Sequence, residues 1–193
     1  MRPLIPLHAL AASAAMLLAA SGCAPAPEAE LPDQAFIERA SMIADQQQQT
    51  LKAELVSALT QAGPIGAIGV CHSAAPAIEQ SLSEEHGVEV SRIARRNRNS
   101  SNAVPAELAS LYNQLESQPL MDGKPHVVSA RIGDRQVFMR AIPMQDQPCA
   151  VCHGTNVAPE VKAQIDLLYP DDKAVGFAAG DLRGALLVSS QTQ

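Results

Sequence analysis

The sequence predicts an α+β fold built on an antiparallel sheet. Three observations lead there. Residues 33–61 carry no Pro or Gly and repeat apolar side chains at helical spacing. Further on, two runs of strand character flank Ile132-Gly133-Asp134-Arg135, a hairpin signal with glycine in the turn. Between these elements no β-α-β rhythm recurs, so strands with helices inserted among them favour an antiparallel arrangement over a parallel one.

The chain opens with an address. Arg2 supplies a short positive start, and residues 4–20 form an apolar run that ends in Ala-Ala-Ser-Gly before Cys23. Small residues ahead of a cysteine, after such a run, resemble a bacterial lipoprotein signal, in which the peptidase cuts before the cysteine and the thiol carries lipid. An ordinary secretory signal cut near Ala24-Pro25-Ala26 is the competing reading. The run is too short and Ala-rich for an uncleaved transmembrane helix. On the lipoprotein reading, residues 1–22 are the signal peptide. Residues 23–32, rich in Pro and Glu, form a stiff tether, and 33–193 are the folded domain. Cys23 is then the lipidation site, and Ala24 behind it resembles outer-membrane sorting. The expected location is the cell envelope, facing the periplasm.

The first helix occupies 33–61, with Asp33 as N-cap and Gly63-Pro64 as the stop. Residues 65–85 continue as a second helix ending at Gly87, with Pro76 introducing a kink or a junction near Cys71. The two should form an antiparallel pair. Residues 88–94 alternate like a strand, 95–104 are a polar loop, and 105–117 form a short helix that opens on a proline. The hairpin joins 126–131 to 136–143. A helix over 158–168 and a strand over 182–189 complete the series.

Composition narrows the function. Two Tyr, three Phe and no Trp leave few large rings for a core, or for stacking on bases. With a formal charge of −6, phosphate tracking is disfavoured too, and no nucleic-acid partner is expected. The carboxylates form no defensible acid–base pair, and no nucleophile or phosphate-binding motif is present. The chain is not expected to be an enzyme.

The cysteines carry the chemistry. With Cys23 lipidated, Cys71, Cys149 and Cys152 remain. Cys149-Ala150-Val151-Cys152-His153 is C-x-x-C-H, the attachment pattern of c-type haem. Two thiols at this spacing can add to vinyl groups on neighbouring porphyrin edges, and the next residue, His153, then lies under the iron. A thioredoxin-like dithiol would place the pair at a helix start behind a buried strand, whereas QDQPC reads as a loop. Zinc would need a fourth ligand, and a bare disulfide leaves His153 without a task. For the opposite face of the iron the candidates are Cys71, His72, His126, Met121, Met139 and Met144, with His86 better explained at a helix end. The cations Arg92, Arg95, Arg96 and Arg98 could hold haem propionates or form a solvated loop.

GVCHSAAPAI, RNSSNAVPAEL, PCAVCHG and GFAAGDLRGALLVS, in this order, resemble the PAS-like c-type haem sensor domain family, long known only as a domain of unknown function. The resemblance runs over about residues 33–190. It implies a PAS-like antiparallel sheet with long N-terminal helices. It also implies one covalent haem c per chain, held by Cys149 and Cys152, with His153 and Cys71 as axial ligands. His72, next to Cys71, stays open as a substitute. The family pattern R-N-x-x-N falls on Arg98, Asn99 and Asn102 and implies a structural or haem-edge role for them. Related domains often precede kinases or chemoreceptor modules. No such output module is expected after Gln193, so a signal would pass to a separate redox or signalling protein. Sensing of redox state or a small gas is one expectation. A periplasmic electron carrier and a haem-free lipoprotein with a C-x-x-C disulfide are the alternatives.

Overall fold

The computed structural model describes residues 31–190. The signal peptide, Cys23 and most of the tether lie outside the described residues. α1 spans Gln34–His86 and is broken at Gly63, where φ is 65° and ψ is −171°. Such a conformation is open almost only to glycine, so the chain reverses at the expected Gly63-Pro64 stop; the kink expected near Pro76 does not form, and the second arm absorbs that proline with helical backbone angles. The arms 34–62 and 64–86 fold back on each other. Gln47 Nε2 donates to Glu79 Oε1 across them at 3.2 Å, and Phe36, Ala40, Ile43 and Leu82 share one apolar cluster. The predicted helical pair is therefore present. Asp33 precedes the helix, but its side chain makes no cap bond and pairs instead with Arg131 at 3.4 Å.

Gly87 (φ 62°) ends α1 and turns the chain directly into β1 (Val88–Ile93). A 3₁₀ turn at Ala106–Leu108 leads into α2 (Ala109–Ser117). β2 (Leu120–Met121) and β3 (Lys124–Pro125) make a small two-stranded ladder that the sequence reading missed. β4 (Val127–Ile132) and β5 (Arg135–Pro143) form the expected hairpin, with Gly133 at φ 57° in its turn. A four-residue helix, α3 (Ala150–His153), precedes α4 (Pro159–Leu168), and β6 (Leu182–Ser190) closes the sheet.

The main sheet is antiparallel throughout, in the order β1-β6-β5-β4. Strand alternation sorts its side chains. Val88, Val90, Phe138, Leu186 and Val188 face the α1 hairpin. Ile93, Val137, Met139, Ala185 and Leu187 face α2. Both faces of β5 and β6 are thus covered, which is why their sequences read as nearly continuous apolar runs. This is the α+β architecture expected, with Ala, Val and Leu filling the space that aromatic rings usually take.

Candidate functional site

One side of α1 changes its task along its length. Phe36, Ala40, Ile43, Ala44 and Gln47 are buried where the first arm lies on the sheet. The same stripe continues through Leu51, Leu55 and Leu59, which are only half-buried and line cavities instead. Their spacing of four residues keeps them on one helix face. Opposite them stand the C-x-x-C-H turn and the strand ends.

The larger cavity encloses about 1010 Å³ of empty space, its open mouth included. Cys71, Cys149 and His153 all line it, together with Leu51, Leu55 and Tyr169. A smaller apolar cavity adjoins it and shares Cys71, Cys149 and His153, adding Cys152 and Leu59. The structure therefore brings together, from positions far apart in sequence, the three residues expected to attach and ligate a haem and the cysteine expected opposite. The thiols of Cys71, Cys149 and Cys152 are free and half-buried. Burial pushes the Cys152 thiol up, against the opposing pull of Arg98.

His153 is held in a defined state. Its Nδ1 lies 2.6 Å from the carbonyl oxygen of Ala174 and 3.2 Å from Arg183 Nε. Only the first can be a strong hydrogen bond, because a ring N–H donating to the carbonyl cannot also accept from a guanidinium. Nδ1 is then protonated and Nε2 keeps its lone pair, the arrangement typical of metal-ligating histidines. Burial, followed by the nearby Arg183 and Arg98 cations, holds the imidazole pKa well below its usual value. Neutral imidazole is the form that binds metal.

A strap from Asp172 to Phe177 fixes the motif from outside. Phe177 N–H donates to His153 O at 3.0 Å and Gly176 N–H to Gly154 O at 2.8 Å. The Phe177 ring meets the imidazole edge-on, with centroids 6.5 Å apart. Gly154 matters here, since a Cβ would come within 2.6 Å of the Ala150 carbonyl oxygen.

Arg98 proves to be the strut of this assembly. Its side chain is 7% exposed, and its Nε pairs at 3.1 Å with Asp172, itself 1% exposed. Its Nη2 donates to the carbonyls of Cys152 at 2.7 Å and Ala174 at 3.3 Å. The guanidinium thus holds both the motif backbone and the carbonyl that orients His153. The structural half of the sequence expectation describes it. The rest of the arginine cluster disperses: Arg92 pairs with Glu79 at 2.8 Å, Arg95 turns to Asn113 and Glu116, and Arg96 binds Val175 O while lying 3.8 Å over Phe177.

Of the other candidates for a sixth ligand, Met144 lines the larger cavity. His72 lines neither cavity and packs edge-on against Tyr169, centroids 5.4 Å apart. Met139 is buried on the α2 face of the sheet, Met121 is exposed in the small ladder, His126 binds Gln118 O, and His86 lies at the end of α1. Tyr169, Arg183 and the leucine stripe escaped the sequence reading. Only the spacing of Leu51, Leu55 and Leu59 offered a signal, and it is indistinguishable from a helix's core face. Tyr169 is pushed up to about 12, first by burial and then by the neighbouring Cys71.

A four-stranded antiparallel sheet, a helical hairpin on one face and a cavity lined by cysteines and a histidine define a PAS-like α+β domain. The chain matches the Tll0287-like family over residues 27–190 and belongs to it. The crystal structure of the cyanobacterial heme-protein Tll0287 superposes with a TM-score of 0.67 at 22% identity, over 84% of this chain and 99% of that one. At that identity the likeness speaks for the fold. No curated protein matches the chain.

Proposed function

We propose that the protein is an exported c-type haem protein that senses redox state or a small gas through its iron. Cys149 and Cys152 carry one covalent haem, with His153 and Cys71 as axial ligands. The observation that carries this reading is the convergence of Cys71, Cys149 and His153 on one cleft, with His153 Nδ1 donating to Ala174. The heme-protein whose fold it shares supports it further. Among the described residues no three His, Cys, Asp or Glu side chains gather as a metal cage. Two axial ligands suffice where a macrocycle brings its own in-plane nitrogens. Bound in the cleft, the group supplies a reversible one-electron change and an exchangeable axial position. The chain's part is to hold the neutral imidazole, present a thiolate opposite it, and wall off one side with leucines.

Sensing is favoured over electron carriage by the segment that bears Cys71. It lies in the second arm of α1, between the break at Gly63 and Pro76, with Gly66 and Gly69 in between. Each helical glycine costs about 1 kcal/mol relative to alanine, and Pro76 has no N–H for the carbonyl of His72. A ligand on such a stretch is released at low cost. Lipidation at Cys23 would tether the domain to the envelope, where a redox or signalling protein receives the change.

The test is Cys71→Ser in the haem-loaded protein. Loss of a thiolate removes electron donation to the ferric state, so the ferric spectrum should shift and the reduction potential rise. In the wild type, carbon monoxide added to the reduced form should displace the ligand. A spectrum and potential unchanged by the substitution would remove Cys71 from the iron, and a reduced form inert to carbon monoxide would favour a carrier.

A further inference from the structure

We propose that Arg183 takes a carboxylate of the cofactor in the larger cavity. This rests on the haem reading above. Three arginines line the larger cavity: Arg92, Arg98 and Arg183. Two have carboxylate partners, Arg92 in Glu79 at 2.8 Å and Arg98 in Asp172 at 3.1 Å. Among the described residues Arg183 forms no ion pair. Its Nη1 reaches only the carbonyl of Arg96, at 3.4 Å. Its Nε faces His153 Nδ1, whose proton is directed at Ala174 O and which therefore accepts nothing. A guanidinium has five N–H donors in a rigid fork suited to carboxylates, and most of those on Arg183 are unspent.

The surroundings point the same way. Asn97, Asn99 and Asn102 line the same cavity as the leucines, so it offers polar as well as apolar walls. A porphyrin, with two carboxylates on one edge and apolar faces, calls for both. Arg183 is also well placed to stay fixed. It sits near the start of β6, beside Gly184, where a Cβ would come within 2.8 Å of the Ile93 carbonyl oxygen. The strand there cannot retreat from β1 without losing its ladder.

The experiment uses the haem-loaded full-length protein and its resonance Raman spectrum, in which the propionate bending band follows hydrogen bonding to the carboxylates. Arg183→Gln should shift the band. Arg183→Lys, a single ammonium in place of the fork, should shift it partway in the same direction. Arg95→Gln, outside the cavity, should leave it in place. Should Arg183→Gln not accumulate, the lysine variant carries the test alone. A band at the wild-type position in every Arg183 variant that accumulates overturns the assignment. Wild-type protein without covalent haem would instead defeat the haem reading, a separate and recognisable result.

Discussion

Glu79 sits where the two arms of α1 meet the sheet, accepting hydrogen bonds from Gln47 at 3.2 Å and Arg92 at 2.8 Å. Burial raises its pKa despite Arg92, because the loss of hydration outweighs the ion pair. In the unfolded chain Glu79 releases its proton near 4.5, while the folded form keeps it to higher pH. Between those two values the native state binds more protons, so this group's contribution to stability is lost as pH rises through the folded pKa. Urea unfolding at a series of pH values should show the wild type losing ground to Glu79→Gln across that window. Parallel curves for the two proteins would refute the burial argument. At this scale the sequence was legible wherever function is local. Cys149, Cys152 and His153 could be named because their spacing is itself the signal. Arg98 was singled out, but its partner Asp172 lies 74 positions away and nothing nearby announced it. Arg183 was hidden for the same reason: what distinguishes it is the lack of an ion-pair partner among the described residues, which only tertiary structure reveals.

Gly63 sets the shape of the cleft by reversing α1, and with it the distance between the leucine stripe and Cys71. Alanine at φ 65°, ψ −171° is strained by about 1–3 kcal/mol. Nothing lies within 4 Å of a Cβ there, so the penalty is one of backbone strain and not of crowding. Gly63→Ala should lower the unfolding free energy by that amount in a denaturant titration. Wild-type stability would mean that the turn tolerates another conformation. Most elements were readable from periodicity and punctuation: both arms, the hairpin, α2, α4 and β6 appear within a residue or two, apart from the 3₁₀ start of the 105–117 segment. α3 and the β2–β3 ladder were not, since pieces of two to four residues are too short to show a period. The stop expected at Gly63-Pro64 is present, where the backbone requires a glycine, whereas the kink expected near Pro76 is not, because the backbone stays helical there.

For the whole molecule, the shortage of aromatic rings takes on a specific meaning. Two apolar clusters cover the faces of the sheet with aliphatic side chains and a few rings. Further apolar surface, from Leu51 to Leu59 and around Cys149, lines the cavities. On the proposed reading a large flat apolar cofactor would complete such an interior, and its covalent attachment is the claim from which the ligand, the sensing role and the carboxylate site all follow. The direct measurement is haem staining of a denaturing gel after expression with c-type maturation machinery. The wild type should carry stain at the protein's own mass, and Cys149→Ser combined with Cys152→Ser should carry none. Stain retained by the double variant, or absent from the wild type, would contradict the account.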